Sequence, residues 1–189
     1  MPGKNKHCLY LTLQHRGGKP GYHWALLIAP ALKKESSDTA VKDCHLFHVT
    51  NSIGQGHPQN ETGNADWRYE DKPVNTMRSH TIISRVLVAK ISANAFLASV
   101  AEYIRPIVEA INIVQRDPKW TCRIWVEQAL EALRAAGGEF SVVPIVTTGG
   151  EVEREIIEFG DGAMAKLASG KWNIGHPRDL PHADMRNKQ

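Results

Sequence analysis

Apolar residues along this chain change their spacing once, near residue 92, and that change limits the folds open to it. Before it they alternate with a period of two; after it they recur at three- and four-residue intervals. Strands followed by helices, rather than the two interleaved, argue for an α+β protein in which an antiparallel β-sheet packs against helices. Residues 8–15 (CLYLTLQH) alternate, Gly17-Gly18-Lys19-Pro20-Gly21 reads as a turn, and residues 22–29 (YHWALLIA) read as a second strand, so a hairpin opens the fold. Residues 33–42 form a polar loop and 44–50 (CHLFHVT) a third strand. The Gly, Asn, Gln and Pro content of 51–65 marks an exposed connection able to border a cleft. Residues 67–70 (WRYE) are a short strand and 82–91 (IISRVLVAKI) a firmer one.

Beyond the switch, Ser92 is a candidate N-cap for a helix carrying Leu97, Val100, Ala101, Ile104, Val108 and Ile111, which Pro106 should kink or divide. In the next helix Cys122, Trp125, Val126, Ala129, Leu130 and Leu133 share one face. Thr121 is its candidate N-cap, with a hydroxyl to accept a first-turn N–H, and Gly137-Gly138 its stop. Residues 140–146 (FSVVPIV) can be extended, and 151–167 form a helix interrupted or frayed around Gly160-Asp161-Gly162. A length of 189 residues fits one domain over 1–170, with 171–189 as an irregular C-terminal tail.

Charge and cysteine content remove several classes of function. Twenty-three basic against twenty acidic residues, a net charge of +3, scattered in sign, announce no nucleic-acid or membrane-surface patch. Cys8, Cys44 and Cys122 form no CxxC pair and leave one over, so a reducing, cytoplasmic setting is expected. No apolar run approaches the ~20 residues of a membrane span, and none near the start is long enough for a signal-peptide core. Asn60-Glu61-Thr62 fits a glycosylation sequon, which without an export signal is a chance match.

Chemistry is concentrated at Cys122. As the first residue of a helix it faces unpaired N–H groups and the positive end of the macrodipole, which favour a thiolate; a lowered thiol pKa is therefore expected. Acyl transfer also needs a proton carrier, and among nine histidines His23 and His48 lie inside the second and third strands. His23 shares a strand face with Ala25 and Leu27, while Tyr22, Trp24, Leu26 and Ile28 take the other. A cysteine and a histidine oriented by a third polar group is the recurring constellation for thiol acyl chemistry. A metal site built on Cys44, His45 and His48 is disfavoured, because His45 points away from the other two and no second ligand pair exists; no metal or other cofactor is called for. Cys8 and Cys44 read as buried small hydrophobes. The competing reading is a non-catalytic binding or scaffold domain, with Trp24, Trp67, Trp120 and Trp125 as core and the Cys-His set as packing.

Three short motifs carry a family resemblance. His23-Trp24-Ala25-Leu26, Phe47-His48-Val49 and Thr121-Cys122-Arg123-Ile124-Trp125-Val126 occur in that order. The order resembles the lecithin:retinol acyltransferase-like branch of the permuted NlpC-type cysteine hydrolases, whose strands carry H-W-A-[LIV] and I-H-[LV] and whose nucleophile helix opens with N-C-x-x-F-V. A group of fungal proteins with YHWALL and CRxWV signatures is similar too. The resemblance implies a circularly permuted papain-like fold with Cys122 as nucleophile, His23 as general base and His48 as its orienter. The implied activity is hydrolysis of, or acyl transfer from, an amide, ester or thioester, with a small-molecule or peptide acyl substrate. The backbone N–H of Cys122 would be one oxyanion donor; Tyr10, Gln14 and Tyr22 are candidates for the second, and Trp24, Trp120 and Trp125 for pocket walls. Thr121 stands where the family has Asn, Trp125 where it has Phe, and Arg123 where Glu is common. The hydrophobic C-terminal anchor of lipid-acting members is not expected, which points away from a phospholipid substrate.

Overall fold

The two alternating stretches at the start of the chain pair with each other. In the computed structural model, which describes residues 6–30, 41–76, 79–92, 96–171 and 180–189, β1 (Lys6–Arg16) and β2 (Lys19–Ala29) form an antiparallel hairpin with Leu11 opposite Leu26 and Gln14 opposite His23. A two-residue turn joins them, and Gly17 and Gly18 take φ of 58° and 87°, the left-handed geometry that tight hairpins demand and side chains resist. β3 (Cys44–Thr50) and β4 (Arg68–Val74) follow on one side and β5 (Ile82–Ser92) on the other. The short β6 (His182–Asp184) completes a six-stranded sheet in the order β4-β3-β2-β1-β5-β6. Pro73, which cannot donate to a ladder, lies in β4 at the sheet edge, where no donor is missed.

Helices α1 (Leu97–Glu109), α2 (Cys122–Ala136) and α3 (Glu151–Ala168) cover one face. The main core lies between: Leu9, Leu11 and Leu13 of β1 and Trp24, Leu26 and Ile28 of β2 meet Trp125, Val126, Leu130 and Leu133 of α2. Burying each of these large side chains contributes about 1.5–3 kcal/mol, which is what fixes α2 on the sheet. The alternate residues, Cys8, Tyr10, Ala25, Leu27, Cys44 and Leu46, form a second buried cluster on the opposite face. The fold is α+β, as the change of period implies.

Several local expectations are corrected. The sheet is mixed rather than wholly antiparallel, because β6 runs parallel to β5, and residues 182–184 of the expected irregular tail are therefore a strand. Ser92 ends β5, its N–H donating to the Glu139 carboxylate at 2.8 and 2.9 Å, and the N-cap of α1 is Phe96, with no side-chain bond. Pro106 neither ends nor divides α1, since it falls in the last turns and Ile104 and Val108 are buried on either side of it. The segment 140–146 contributes no strand; a 3-10 turn at Gly138–Phe140 leads into irregular backbone bonded to the C-terminal residues, Asn187 N–H to the Val142 carbonyl and Ile145 N–H to that of Lys188. α3 is continuous through Gly160-Asp161-Gly162, and close packing is the reason. A Cβ on Gly160 would come within 2.5 Å of a Leu13 methyl and 3.2 Å of the Tyr22 ring, so glycine there buys contact with the hairpin. Most of the expected 33–42 loop and residues 172–179 of the tail lie outside the described residues.

One irregularity of the sheet positions the site. The β2–β3 ladder consists of Leu26 opposite Phe47, Leu27 opposite Leu46 and Ile28 opposite His45, whereas β3 and β4 pair along their whole length. The start of β2, with His23 and Trp24, and the end of β3, with His48, lie beyond the last β2–β3 pair. The N-terminus of α2 packs against these two strands.

Candidate active site

An open cleft of about 950 Å³ lies at this end of the sheet, walled by the hairpin, the end of β3, the following loop, the start of α2 and α3. Cys122, His23 and His48 all line it. Cys122 is the first residue of α2 and Thr121 its N-cap, as the spacing implies, but the threonine hydroxyl makes no capping bond. The sulfur instead accepts the backbone N–H of Trp24 at 3.5 Å, a donor that strand pairing with β3 leaves free. Among the described residues no hydrogen bond joins the sulfur to either imidazole.

The two histidines are bonded to each other. His23 Nε2 and His48 Nδ1 are 2.8 Å apart, the rings nearly perpendicular at 79°. Alternation explains the meeting: continuing the register past Leu26 and Phe47 sets the two residues diagonally across the gap on one face. His48 stands directly opposite Glu70 in the β3–β4 ladder, and its Nε2 is 3.4 Å from Glu70 Oε2, a long ion-pair contact rather than a short hydrogen bond. Glu70 is itself held by Arg68 at 2.8 Å and Lys72 at 3.3 Å. Burial works against its charge, but Lys72, His48 and Arg68 together keep its carboxyl below the ordinary range.

That carboxylate orders the protons beyond it. The contact leaves His48 Nε2 without a hydrogen bond among the described residues, but a neighbouring anion favours the tautomer that turns Nε2–H toward Glu70; in that tautomer Nδ1 accepts and His23 donates through Nε2. The nitrogen left with a lone pair on the His23 ring is Nδ1. Burial lowers both imidazoles, His23 to about 3, helped by His48 and Arg16, and His48 to about 4, helped by Lys72. Both are neutral at physiological pH. The expected lowering of the Cys122 thiol is overturned: burial pushes it above the ordinary thiol range, outweighing the Trp24 N–H, the charge of Arg16 and the helix N–H groups of Arg123 and Cys122. The resting pair is thus a neutral thiol and a neutral imidazole.

The remaining sequence candidates separate clearly. Tyr10 is on the same face of β1 as Gln14 but lies opposite Leu27 rather than His23, farther along the strand, with the Arg85 guanidinium 4.9 Å from its ring centroid; it is not at the cleft. Tyr22 lines the cleft, but its O–H donates to Asp161 of α3 and is committed there. Gln14 lines the cleft opposite His23; its Oε1 accepts from the Thr81 hydroxyl at 3.1 Å, and its buried Nε2 has no partner among the described residues. Trp24 reaches the cleft through its backbone while its indole is core. Trp120 and Trp125 are core rather than pocket walls: Trp125 is fully buried against Tyr69, and Trp120 lies behind Trp67, edge to face at 5.5 Å, so that Trp67 is the indole at the cleft. Glu70 was missed by the sequence reading. The signal for it was present in the strand at 67–70, but pairing that strand to His48 needs a register that periodicity does not supply.

Among the described residues no helix is long and apolar enough to cross a membrane. The model of a family of unknown function (DUF6914) matches residues 6–182. Neither a curated protein nor a solved structure matches the chain.

Proposed function

This chain belongs to that family of unknown function, and we propose that it is a cysteine-dependent hydrolase or acyltransferase in which Cys122 forms an acyl-enzyme with His23 as general base. The observation that carries the reading is the contact chain Glu70–His48–His23, whose two imidazoles line the same cleft as Cys122. The neutral resting pair favours a concerted route: the thiol gives its proton to His23 Nδ1 as the sulfur attacks the carbonyl carbon, rather than standing as a preformed thiolate. The imidazolium so formed is stabilised through His48 by the Glu70 charge, and returns its proton to the leaving amine, alcohol or thiol when the tetrahedral intermediate collapses. The contact between thiol and Nδ1 forms with substrate in place.

Two donors suit the developing oxyanion. One is the backbone N–H of Cys122 at the helix start; the other is the unpartnered Gln14 Nε2, which replaces Tyr10 and Tyr22 as the candidate. Each such donor contributes on the order of 3 kcal/mol in well-studied enzymes. Water as acceptor makes the protein a hydrolase, an amine or alcohol a transferase. The permuted papain-like relationship belongs to the same proposal, supported by the convergence of its three motifs on one cleft; a cytoplasmic setting is proposed from the unpaired cysteines.

The test is an acylation assay with p-nitrophenyl acetate, reading nitrophenol release and locating the acetyl group by peptide mass spectrometry. An acetyl group on Cys122 that is lost with His23→Ala is the expected result. Absence of any Cys122 adduct in the folded protein, with labelling only after unfolding, sinks the proposal. It would favour the second reading, a non-catalytic scaffold, for which the raised thiol and its bond to the Trp24 N–H speak.

A further inference from the structure

Charge around the cleft is uneven. Arg16 and Lys19, at the hairpin end of β1 and β2, and Arg123 of α2 line it, while the single carboxylate among its described lining residues, Asp161, already accepts the Tyr22 O–H. Arg123 is balanced by Glu153, whose carboxylate is buried beneath it at 3.2 Å and also accepts the Gly149 N–H at 2.7 Å. His15, the neighbouring titratable group, is bonded to the His80 carbonyl. Arg16 is held over the opening by its own hairpin, Nη1 donating to the Pro20 carbonyl at 3.1 Å, and its charge is felt by both Cys122 and His23. Apolar side chains, Ile53, Trp67, Ile157 and Met164, make up other parts of the wall. Cations gathered at the mouth of a low-dielectric cleft, with no opposing free carboxylate, raise the local concentration of anions, and a guanidinium fork matches an oxyanion.

We propose that the substrate carries an anionic oxygen group, a carboxylate or a phosphate, received by Arg16 and Lys19 with Arg123 as a third cation, while its acyl carbon is presented to Cys122. The assignment rests on the nucleophile reading above and names the substrate class of that site. Arg16 and Lys19 act by binding and take no part in proton transfer. The hairpin turn places them at the opening because the chain must reverse at Gly17-Gly18, so both flanking charges project at the end of the sheet where the cleft lies.

Paired alkylating reagents test this without knowledge of the substrate. Iodoacetate is an anion and iodoacetamide its neutral analogue; the rate of each at Cys122 is followed by peptide mass spectrometry in the full chain at low ionic strength, relative to the same chain in denaturant. Folding is expected to favour iodoacetate over iodoacetamide by about tenfold. That preference is expected to fall with added salt and to vanish in R16Q/K19Q, read as the ratio of the two rates in each protein so that any effect of Arg16 on the thiol itself cancels. Equal normalised rates, or a preference that survives the double substitution, overturn the proposal. Protection of Cys122 from iodoacetamide by inorganic phosphate assigns a phosphate, and protection by succinate a carboxylate. If instead neither reagent reaches Cys122 ahead of Cys8 and Cys44, the nucleophile reading itself falls.

Discussion

Strands β3 and β4 carry two histidine–carboxylate pairs, His45 with Asp71 and His48 with Glu70, a few residues apart and on opposite faces of one ladder. The first is closed. Asp71 Oδ1 takes His45 Nε2 and Arg105 Nη2, both at 3.1 Å, and Oδ2 takes Arg105 Nε at 2.8 Å and the Tyr69 O–H at 3.2 Å. Each partner is another protein group, and the bidentate guanidinium ties α1 to β4 while holding the Asp71 carboxyl below its ordinary range. The second pair is open. Glu70 is charged and held by Arg68 and Lys72, but the histidine beside it is hydrogen-bonded to His23, and both imidazoles line the cleft. The same two residue types in the same ladder therefore make a clamp in one place and, in the proposed mechanism, a proton relay in the other.

Substitutions at the two pairs should separate these roles. The largest effect is expected at the end of the open chain: Cys122→Ala should abolish acylation by p-nitrophenyl acetate, and His23→Ala should slow it by about 10²–10⁴, the usual contribution of a general base. Urea denaturation should show stability changed by no more than about 1 kcal/mol in Cys122→Ala. A His23→Ala protein acylated at the parental rate would break the distinction at once.

Next in size, Asp71→Ala leaves the Arg105 guanidinium and His45 without their acceptor. Because Arg105 is partly exposed, the loss should be about 2 kcal/mol, below that of a fully buried pair. Residual acylation by the folded fraction should stay within about threefold of the parent, since this pair lies on the other face; a hundredfold loss would show the clamp to be part of the site.

Glu70→Gln is the reverse case. It removes the anion that selects the His48 tautomer, and acylation should fall about tenfold, equivalent to about 1.4 kcal/mol, with a smaller change in stability than Asp71→Ala. Rescue by Glu70→Asp would identify charge rather than packing as the cause. An unchanged rate in Glu70→Gln would remove Glu70 from the relay and leave His48 as its terminus.

A separate effect, on stability rather than on rate, follows pH. His23 and His48 are lowered by burial to about 3 and about 4, so between those values and the unfolded value near 6.5 the unfolded chain binds more protons. Stability is then fully present above about pH 6.5 and falls as pH drops through that window, by at most about 1.4 kcal/mol per pH unit for each histidine. Urea midpoints across this range should slope upward with pH, and His48→Gln should flatten the curve. A parental profile in His48→Gln would show that the open chain stores no such linkage.

Much of the fold was legible because it is written locally. Alternation in 8–15, 22–29 and 44–50 and helical spacing from Cys122 to Leu133 each report which side of an element is apolar, and the elements formed on those segments within a residue or two at most ends. Gly160 misled for the same reason that local rules work: its cost to a helix is local, while the contact with Leu13 and Tyr22 that offsets it comes from a strand far away in the chain.

By itself, then, the sequence determined an α+β chain, a cysteine at the start of an amphipathic helix, and two histidines on strands, because periodicity and capping depend on neighbours in the chain. Tertiary structure alone decided the rest. Register brought Glu70 to His48 and His48 to His23; the short β2–β3 ladder left the Trp24 N–H for the sulfur; and position along β1 kept Tyr10 from the cleft while leaving Gln14, on the same face, within it. Burial also reversed the direction of the Cys122 pKa. The dipole at a helix start can be read from residues in sequence, but desolvation depends on every element packed around the thiol, and here it is the larger force.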